Sequence, residues 1–437
     1  MHYYVKPTPL ESGSVVVPGD KSISHRALML GAIADGVSVV SGFLPGEDCR
    51  ATFAALQAMG VQIDEVDRTT LRVHGAGMRG LREPAGLLDM GNSGTAMRLF
   101  AGLLCGQPFT ARLAGDASLA RRPMGRIIEP LGRMGAQIDS NNGLPPLTIH
   151  GGRKLAAIDY TLPVASAQVK SALLLAGLYA DGEMTILEPA PTRDHTERML
   201  QRLGVAVQSE PGRIRMTGGQ RLQAADIEVP GDLSSAAFVI LAALLAPDCE
   251  AVVQRVGVNP TRYGVIEILR QMGAAIDIEA CASAGSEPVA DIHVRSSILG
   301  GIDVDPALVS LAIDEFPVLF VAAAAARGRT RFTGLGELRV KESDRISTMA
   351  EGLQNLGIRV QETAEGAIVH GGAFTGGVVD SHGDHRVAMS LAVAGTVAAS
   401  PVTVMNTDAV DTSFPGFVEC MNAAGADMSP SGGSQKP

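Results

Sequence analysis

The sequence predicts an α/β fold built from six small α+β units, arranged as two halves of three. Two internal repeats carry that prediction. The first is a helical run ending in Leu/Met-Gly and followed by a β-like stretch. It occurs as LQAMGVQID at Gly60, LGRMGAQID at Gly135, LQRLGVAVQ at Gly204, LRQMGAAIDI at Gly273 and LQNLGIRVQ at Gly357, with a weaker copy, MNAAGADM, at Gly425. Glycine is the expected left-handed residue closing a helix, and the β-branched residues after it open a strand. The spacings are 75, 69, 69, 84 and 68 residues, too long for solenoid repeats of roughly 20–50 residues. The second repeat is longer. VVVPGDKSISHRALMLGAIADG (15–36) matches IEVPGDLSSAAFVILAALLAPD (227–248), offset by 212 residues. Both read as strand, Pro-Gly-Asp turn, Ser-rich helix start and apolar helix, which places the boundary between halves near residue 228. Alternating segments such as LRVHGAG (71–77) and AIVHGG (367–372) read as strands of mixed hairpins.

Composition narrows the class. Of 437 residues, 46% are hydrophobic and 19% charged, enough for true cores and too little charge for a disordered chain. With 51 glycines, no Trp and 4% aromatics, tight turns and close helix–sheet contacts replace large aromatic cores. The net charge of −10 argues against nucleic acid or an anionic membrane as partner. Any anion site must therefore be built from local clusters. MHYYVKPTPL has no apolar signal-peptide core. The longest apolar run, Ala236–Ala246, has eleven residues, short of the roughly 20 a membrane span needs. Five scattered cysteines without CxxC spacing argue against a disulfide framework or a zinc site and fit a reducing cytoplasm. The polar tail, 429–437, is expected to be disordered.

The charged clusters fall at helix starts. Pro18-Gly-Asp-Lys-Ser-Ile-Ser-His-Arg26 sets Lys21, Ser22 and Arg26 at a turn opening a helix, where free N–H groups and the dipole favour an anion. An Asp20 N-cap followed by solvated bases explains the same residues. Gly91-Asn-Ser-Gly94 runs into an apolar helix reaching Arg98, and Gly94 is placed to offer N–H groups. An ordinary turn is the plain reading there, as a solvated loop is for Arg121-Arg122. Ser166-Ala-Gln-Val-Lys170 starts another apolar helix. His195, in Arg193-Asp-His-Thr-Glu197, invites a catalytic reading, but capping and ion pairing explain it better. In the second half, Asp314-Glu315 opens an apolar helix. Arg339-Val-Lys-Glu-Ser-Asp-Arg345 packs five charges into seven residues, and Asp384-His-Arg386 precedes another apolar helix. Singly, these are caps and solvated faces. Together they suit one cleft between two domains, holding a substrate with several negative charges. No nucleotide or metal motif is present.

In this order GDKS, GNSGTAMR, SAQVK, DEFP, RVKESDR and DHRVAM resemble the 5-enolpyruvylshikimate-3-phosphate (EPSP) synthase family, with SAQVK and RDHTE similar to its class II subgroup. The matches extend from PGDKSISHRA to TSFPGF. The resemblance implies an inside-out α/β barrel fold of two domains with three units each. One domain spans 18–228, and the other combines 1–17 with 229–428. It also implies transfer of enolpyruvyl from phosphoenolpyruvate (PEP) to shikimate 3-phosphate, by a cytoplasmic monomer, with no cofactor or metal. Carried over by position, Lys21, Ser22, Arg26, Ser166, Ala167, Gln168, Arg193, Asp314 and Lys341 would bind shikimate 3-phosphate. Lys21, Gly94, Arg122, Gln168, Arg345 and Arg386 would bind PEP. Asp314, Glu342 and Lys21 would carry the proton chemistry. The 5-hydroxyl attacks C2 of PEP while C3 takes a proton, and loss of phosphate regenerates the enol ether.

The chain departs from the family at one contact. A Lys often precedes the family's Ser-Phe-Pro segment, where this sequence has Asp411-Thr412. Gly94 stands where some glyphosate-insensitive relatives carry Ala, so glyphosate sensitivity is expected. The related transferase acting on UDP-N-acetylglucosamine has Lys-Asn in place of Lys21-Ser22 and a loop cysteine near 112–123. Here no cysteine lies between Cys105 and Cys249. A non-catalytic scaffold of the same fold would not need the acid–base groups.

Overall fold

Six glycines close six helices. Gly60, Gly135, Gly204, Gly273, Gly357 and Gly425 all have φ between +84° and +102°, a region cheap for glycine and strained for side chains. The computed structural model describes residues 1–281 and 285–431. They form two units, here called the first (19–229 with 285–287) and the second (1–18, 230–281 and 288–431).

In the first unit the helices are α1 (Lys21–Ile33), α2 (Glu47–Ala58), α3 (Gly94–Cys105), α4 (Gly125–Arg133), α5 (Ala167–Gly177) and α6 (His195–Arg202). Helices α1, α3 and α5 are buried along nearly their whole length and form the interior. Beyond their polar first two turns they are apolar on all sides, as a core helix must be. Helices α2, α4 and α6 bury one face, and their closing glycines lead into strands. In the second unit α7 (Leu233–Leu245), α10 (Phe316–Ala325) and α12 (His385–Thr396) form the interior. Around them lie α8 (Gly264–Gln271), α9 (Val309–Ala312), α11 (Arg345–Asn355) and α13 (Phe417–Ala423). The Ala236–Ala246 run lies in α7 and its cap, and no helix of the described residues is long and apolar enough to cross a membrane.

The sheets repeat one pattern. A short strand pairs in parallel with a second strand, which continues into two antiparallel neighbours. In the first unit these are Ile227–Glu228, Asp35–Ser41, Leu71–Ala76, Gln62–Glu65; then Leu88–Asp89, Thr110–Ala114, Leu144–His150, Gln137–Asn141; then Asp159–Thr161, Glu183–Leu187, Arg213–Thr217, Val207–Glu210. In the second unit, Gly13–Val16 opens the sheet of Glu250–Gly257, Val289–Arg295 and Ala275–Ala280. A three-stranded sheet (Arg329–Phe332, Gly366–His370, Val360–Thr363) replaces its parallel strand by a single bridge from Asp303 to Arg331. The last sheet runs Gly377–Asp380, Val402–Met405, His2–Lys6, Asp427–Ser431.

That last sheet takes one of its strands, His2–Lys6, from the start of the chain. It also corrects the expected tail. Ser429 pairs with Tyr4 and Ser431 with His2, so backbone pairing holds residues to Ser431 in a strand despite their polar sequence. Residues 432–437 lie outside the described residues.

Close packing and one buried imidazole fix the interior of the first unit. A Cβ at Gly102 of α3 would lie 2.1 Å from the Ala172 carbonyl oxygen of α5, so these helices meet backbone to backbone. His25 of α1 is fully buried. Its Nδ1 lies 2.7 Å from Thr52 Oγ1 of α2, and its Nε2 lies 3.3 Å from Ser93 Oγ at the start of α3. Burial, then the charges of Lys21 and Arg26, hold this imidazole well below its usual pKa.

Gly102→Ala lowers stability by about 1–3 kcal/mol through overpacking, read as a lower urea midpoint. Gly132→Ala, whose Cβ meets nothing within 4 Å, is neutral or stabilising. As pH falls below about 6.5, the unfolded chain binds a proton that folded His25 refuses. Stability then falls by up to about 1.4 kcal/mol per pH unit. Thermal midpoints between pH 7.5 and 5 fall less steeply for His25→Gln than for the parent; parallel profiles would exclude His25 as the source.

Candidate active site

In the first unit the starts of α1, α3 and α5 are joined by side chains. Asp20, Ser93 and Ser166 are their N-caps, accepting from the N–H groups of Ile23, Ala96 and Val169. The Asp20 cap expected from the sequence is therefore present. Gln168 of α5 donates to Thr95 Oγ1 at 2.9 Å and accepts a short hydrogen bond from Arg98 of α3. The remaining first-turn N–H groups of buried helices favour an anion.

Arg26 gives this region its electrostatic character. It is 3% exposed. Its Nε donates to Thr196 Oγ1 at 2.7 Å, Nη2 to Ser171 Oγ at 2.7 Å, and Nη1 to the Ser22 carbonyl at 2.9 Å. No carboxylate among the described residues lies within ion-pairing distance of it. Burial pushes its pKa down to about 10, only partly offset by the more distant Glu197 and Asp20, while Arg193 pushes it further down. A buried cation held by neutral groups is costly unless an anion completes it. Arg193, half-buried before α6, adds to the positive field. Lys21 makes a short ion pair with Asp48.

Gly94 opens onto two further cations. A Cβ there would lie 3.1 Å from Arg98 Nη1 and 3.3 Å from Arg122 Nη1. Arg122 is held by Asn92 Oδ1 at 2.5 Å and Ser118 Oγ at 3.3 Å. The structure thus gathers Lys21, Ser22, Arg26, Gly94, Arg122, Ser166, Ala167, Gln168 and Arg193 around the α1, α3, α5 and α6 starts.

Other residues of the same motifs turn away. Lys170 is buried against Glu188 (3.0 Å) and Glu197 (2.8 Å), so it serves the core. Burial raises the pKa of Glu197, and Lys170 opposes that rise. His195 does not cap: Asp194 holds the N-cap position of α6. The imidazole Nδ1 instead lies 2.7 Å from Glu287 Oε1.

In the second unit, Asp314 lies between cations. Its Oδ1 is 3.2 Å from Lys341 Nζ and 3.6 Å from Arg345 Nη1, and its carbonyl accepts from Arg386 Nη1 at 3.1 Å. Arg345, 2% exposed, also binds Glu342 Oε2 at 2.6 Å and Asp384 Oδ2 at 2.8 Å. Burial alone would lower its pKa, but Asp384, Glu342 and Asp314 together hold it above its usual value. Its Nη1 is buried and donates no hydrogen bond among the described residues, leaving a donor for a ligand oxygen.

The sequence motifs divide here. Within DEFP, Asp314 joins this group, while Glu315 binds Ser234 and sits 3.5 Å from Arg262 at the start of α7. Within RVKESDR, Arg339 pairs with Asp344 and Glu362 on the surface, whereas Lys341 and Arg345 face Asp314 and Glu342 binds Arg345. A solvated face therefore describes only half of the run. Thr412 is buried and donates to the Ala409 carbonyl at 2.7 Å. Burial, with Glu419 and Asp408, raises the pKa of Asp411. This segment supplies no cation in place of the family's Lys.

Sequence reasoning did not assign Arg98, Asp48, Thr196 or Asp384 to the site. Arg98 was accessible in principle, being four residues beyond Gly94 on one helix face. Asp384 caps α12 through the N–H groups of Arg386 and Val387 and also anchors Arg345. Asp48 and Thr196 reach their partners only through the fold.

Comparison with known proteins agrees with this geometry. The model of the family described as EPSP synthase (3-phosphoshikimate 1-carboxyvinyltransferase) matches residues 5–421. A 3-phosphoshikimate 1-carboxyvinyltransferase of Acidithiobacillus ferrooxidans is 57% identical over 423 residues, covering 97% of this chain and 98% of the relative. One from Methylococcus capsulatus is 55% identical over 417 residues, 95% of each chain. The solved EPSP synthase of Acinetobacter baumannii superposes with a TM-score of 0.88 at 50% identity, covering 98% of this chain and all of that one. With its repeated units, this family match and these relatives, the chain belongs to the EPSP synthase family.

Proposed function

We propose that the chain transfers the enolpyruvyl group of PEP to the 5-hydroxyl of shikimate 3-phosphate and releases phosphate, in the shikimate pathway to chorismate and the aromatic amino acids. The observation that carries this is the set around Asp314: a carboxylate between Lys341 and Arg345, with Glu342 on the same guanidinium. Simple anion binding gains nothing from carboxylates beside an anionic ligand, whereas addition–elimination needs groups that accept and return protons.

Both units contribute residues to the reaction. The carboxylate-free guanidinium of Arg26, with Ser22, Ser166, Ala167, Gln168, Arg193 and Lys341, binds shikimate 3-phosphate. Lys21 serves both substrates. Gly94, Arg122, Gln168, Arg345 and Arg386 bind PEP. Asp314 orients the 5-hydroxyl and takes its proton as oxygen bonds to C2. Glu342 and Lys21 deliver a proton to C3 and remove one from it when the C2–O bond to phosphate breaks. The proton taken by Asp314 then leaves with the phosphate. The arginines stabilise the charge that grows on the departing group. The enzyme acts as a monomer in the cytoplasm; its five scattered cysteines, without CxxC spacing, suit a reducing compartment.

Phosphate release with PEP plus shikimate 3-phosphate tests the assignment, with PEP plus UDP-N-acetylglucosamine as control; release only in the control overturns it. Asp314→Asn and Glu342→Gln each lower kcat by about 10²–10⁴-fold, and a variant with near-normal kcat removes that residue from the mechanism. Glyphosate at micromolar concentration inhibits the parent at low PEP. Gly94→Ala, whose Cβ presses on Arg98 and Arg122, loses inhibitor sensitivity and raises KM for PEP. Parent activity unchanged by glyphosate would refute this account of Gly94.

A further inference from the structure

A short stretch far away in sequence is built into the shikimate 3-phosphate half of the site. Residues 285–287 lie between the strands Ala275–Ala280 and Val289–Arg295 of the second unit, yet they belong to the first unit. Glu287 is 4% exposed and its Oε1 is 2.7 Å from Nδ1 of His195, itself 1% exposed. The imidazole Nε2 is buried and has no hydrogen-bond partner among the described residues. His195 is thus held by one hydrogen bond, in which its Nδ1–H donates to the Glu287 carboxylate. Arg198 adds a second tie, donating to the Ser286 carbonyl at 3.3 Å while its Nε grips Asp194 at 2.8 Å.

These ties converge on the first turn of α6, where the binding groups sit. Arg193 precedes the helix, and Thr196 follows His195 within it. The Thr196 hydroxyl accepts from Arg26 Nε at 2.7 Å and lies 2.8 Å from Ser171 Oγ, which accepts from Arg26 Nη2. A rotation of this turn would carry the Thr196 hydroxyl away from the buried guanidinium and from Ser171 of α5. Resting on the functional reading above, we propose that Glu287 is a positioning residue for shikimate 3-phosphate, acting through His195 to fix the α6 start and so Thr196, Arg193 and Arg26. Its hydrogen bond goes to His195, which is assigned neither to PEP nor to proton transfer.

The test is steady-state kinetics of the full-length chain, varying shikimate 3-phosphate and PEP separately, with the thermal midpoint of each variant. Glu287→Ala raises KM for shikimate 3-phosphate by about 10-fold, the loss expected for one charge-assisted hydrogen bond. Its KM for PEP and its kcat stay within about 2-fold of the parent. Glu287→Gln, whose amide oxygen still accepts from Nδ1–H, recovers most of the loss. Should Glu287→Ala fail to fold, His195→Leu removes the same hydrogen bond from the other side and is read in the same way. Parent-like KM for shikimate 3-phosphate in a folded variant overturns the proposal, as does an equal rise in both KM values with a fall in kcat. An inactive parent chain would instead fail the functional reading, so the two failures are separable.

Discussion

Buried helix starts are the constraint from which the rest of this structure follows. Each unit encloses three apolar helices, and each of those leaves first-turn N–H groups without intrahelical partners. A capping side chain satisfies some of them, as Asp20, Ser93, Ser166, Asp232 and Asp384 do. What the caps leave is a patch of positive potential, fixed by backbone geometry before any charged side chain is added. The basic residues next to these caps extend that patch, and for this reason the same short sequences read both as helix starts and as anion sites.

The two units then use charge in opposite ways. Arg26 is buried among hydroxyls, without a carboxylate in reach, and loses part of its basicity. Arg345 is buried among three carboxylates and gains basicity. The first arrangement leaves a positive charge for a ligand to complete. The second is neutralised by the protein and keeps carboxylates beside a cation, the setting that the proposed proton transfers need. A global charge of −10 bears on neither, because both arrangements depend on neighbours within a few ångströms.

Much of the fold was legible because its signals are local. A left-handed glycine, a cap and an apolar run each act over a few residues, so six helix ends could be found by reading along the chain. The candidate site was legible to the extent that its residues share those helix starts: Lys21, Gly94 and Gln168 do, and Arg98 follows from helical spacing. Choices set by tertiary neighbours were hidden. Adjacent Asp314 and Glu315 part company because one meets Lys341 and the other Ser234 and Arg262. Lys170 turns inward to two glutamates that sequence spacing does not connect to it. Glu287 meets His195 across 92 positions.

The sheet that carries the start of the chain has a consequence for the order of assembly. His2–Lys6 lies between Val402–Met405 and Asp427–Ser431, and Lys6 is bonded to Asp427 across 421 positions. During synthesis from the amino end, all the strands of the first unit's sheets have been made by residue 228, so those sheets can close early. The opening strand must wait until nearly the whole chain exists before its last neighbour arrives. Such long-range pairing is slow and leaves strand edges exposed meanwhile. The second unit is thus the late-maturing part of the molecule, and the amino end behaves as its final fastening.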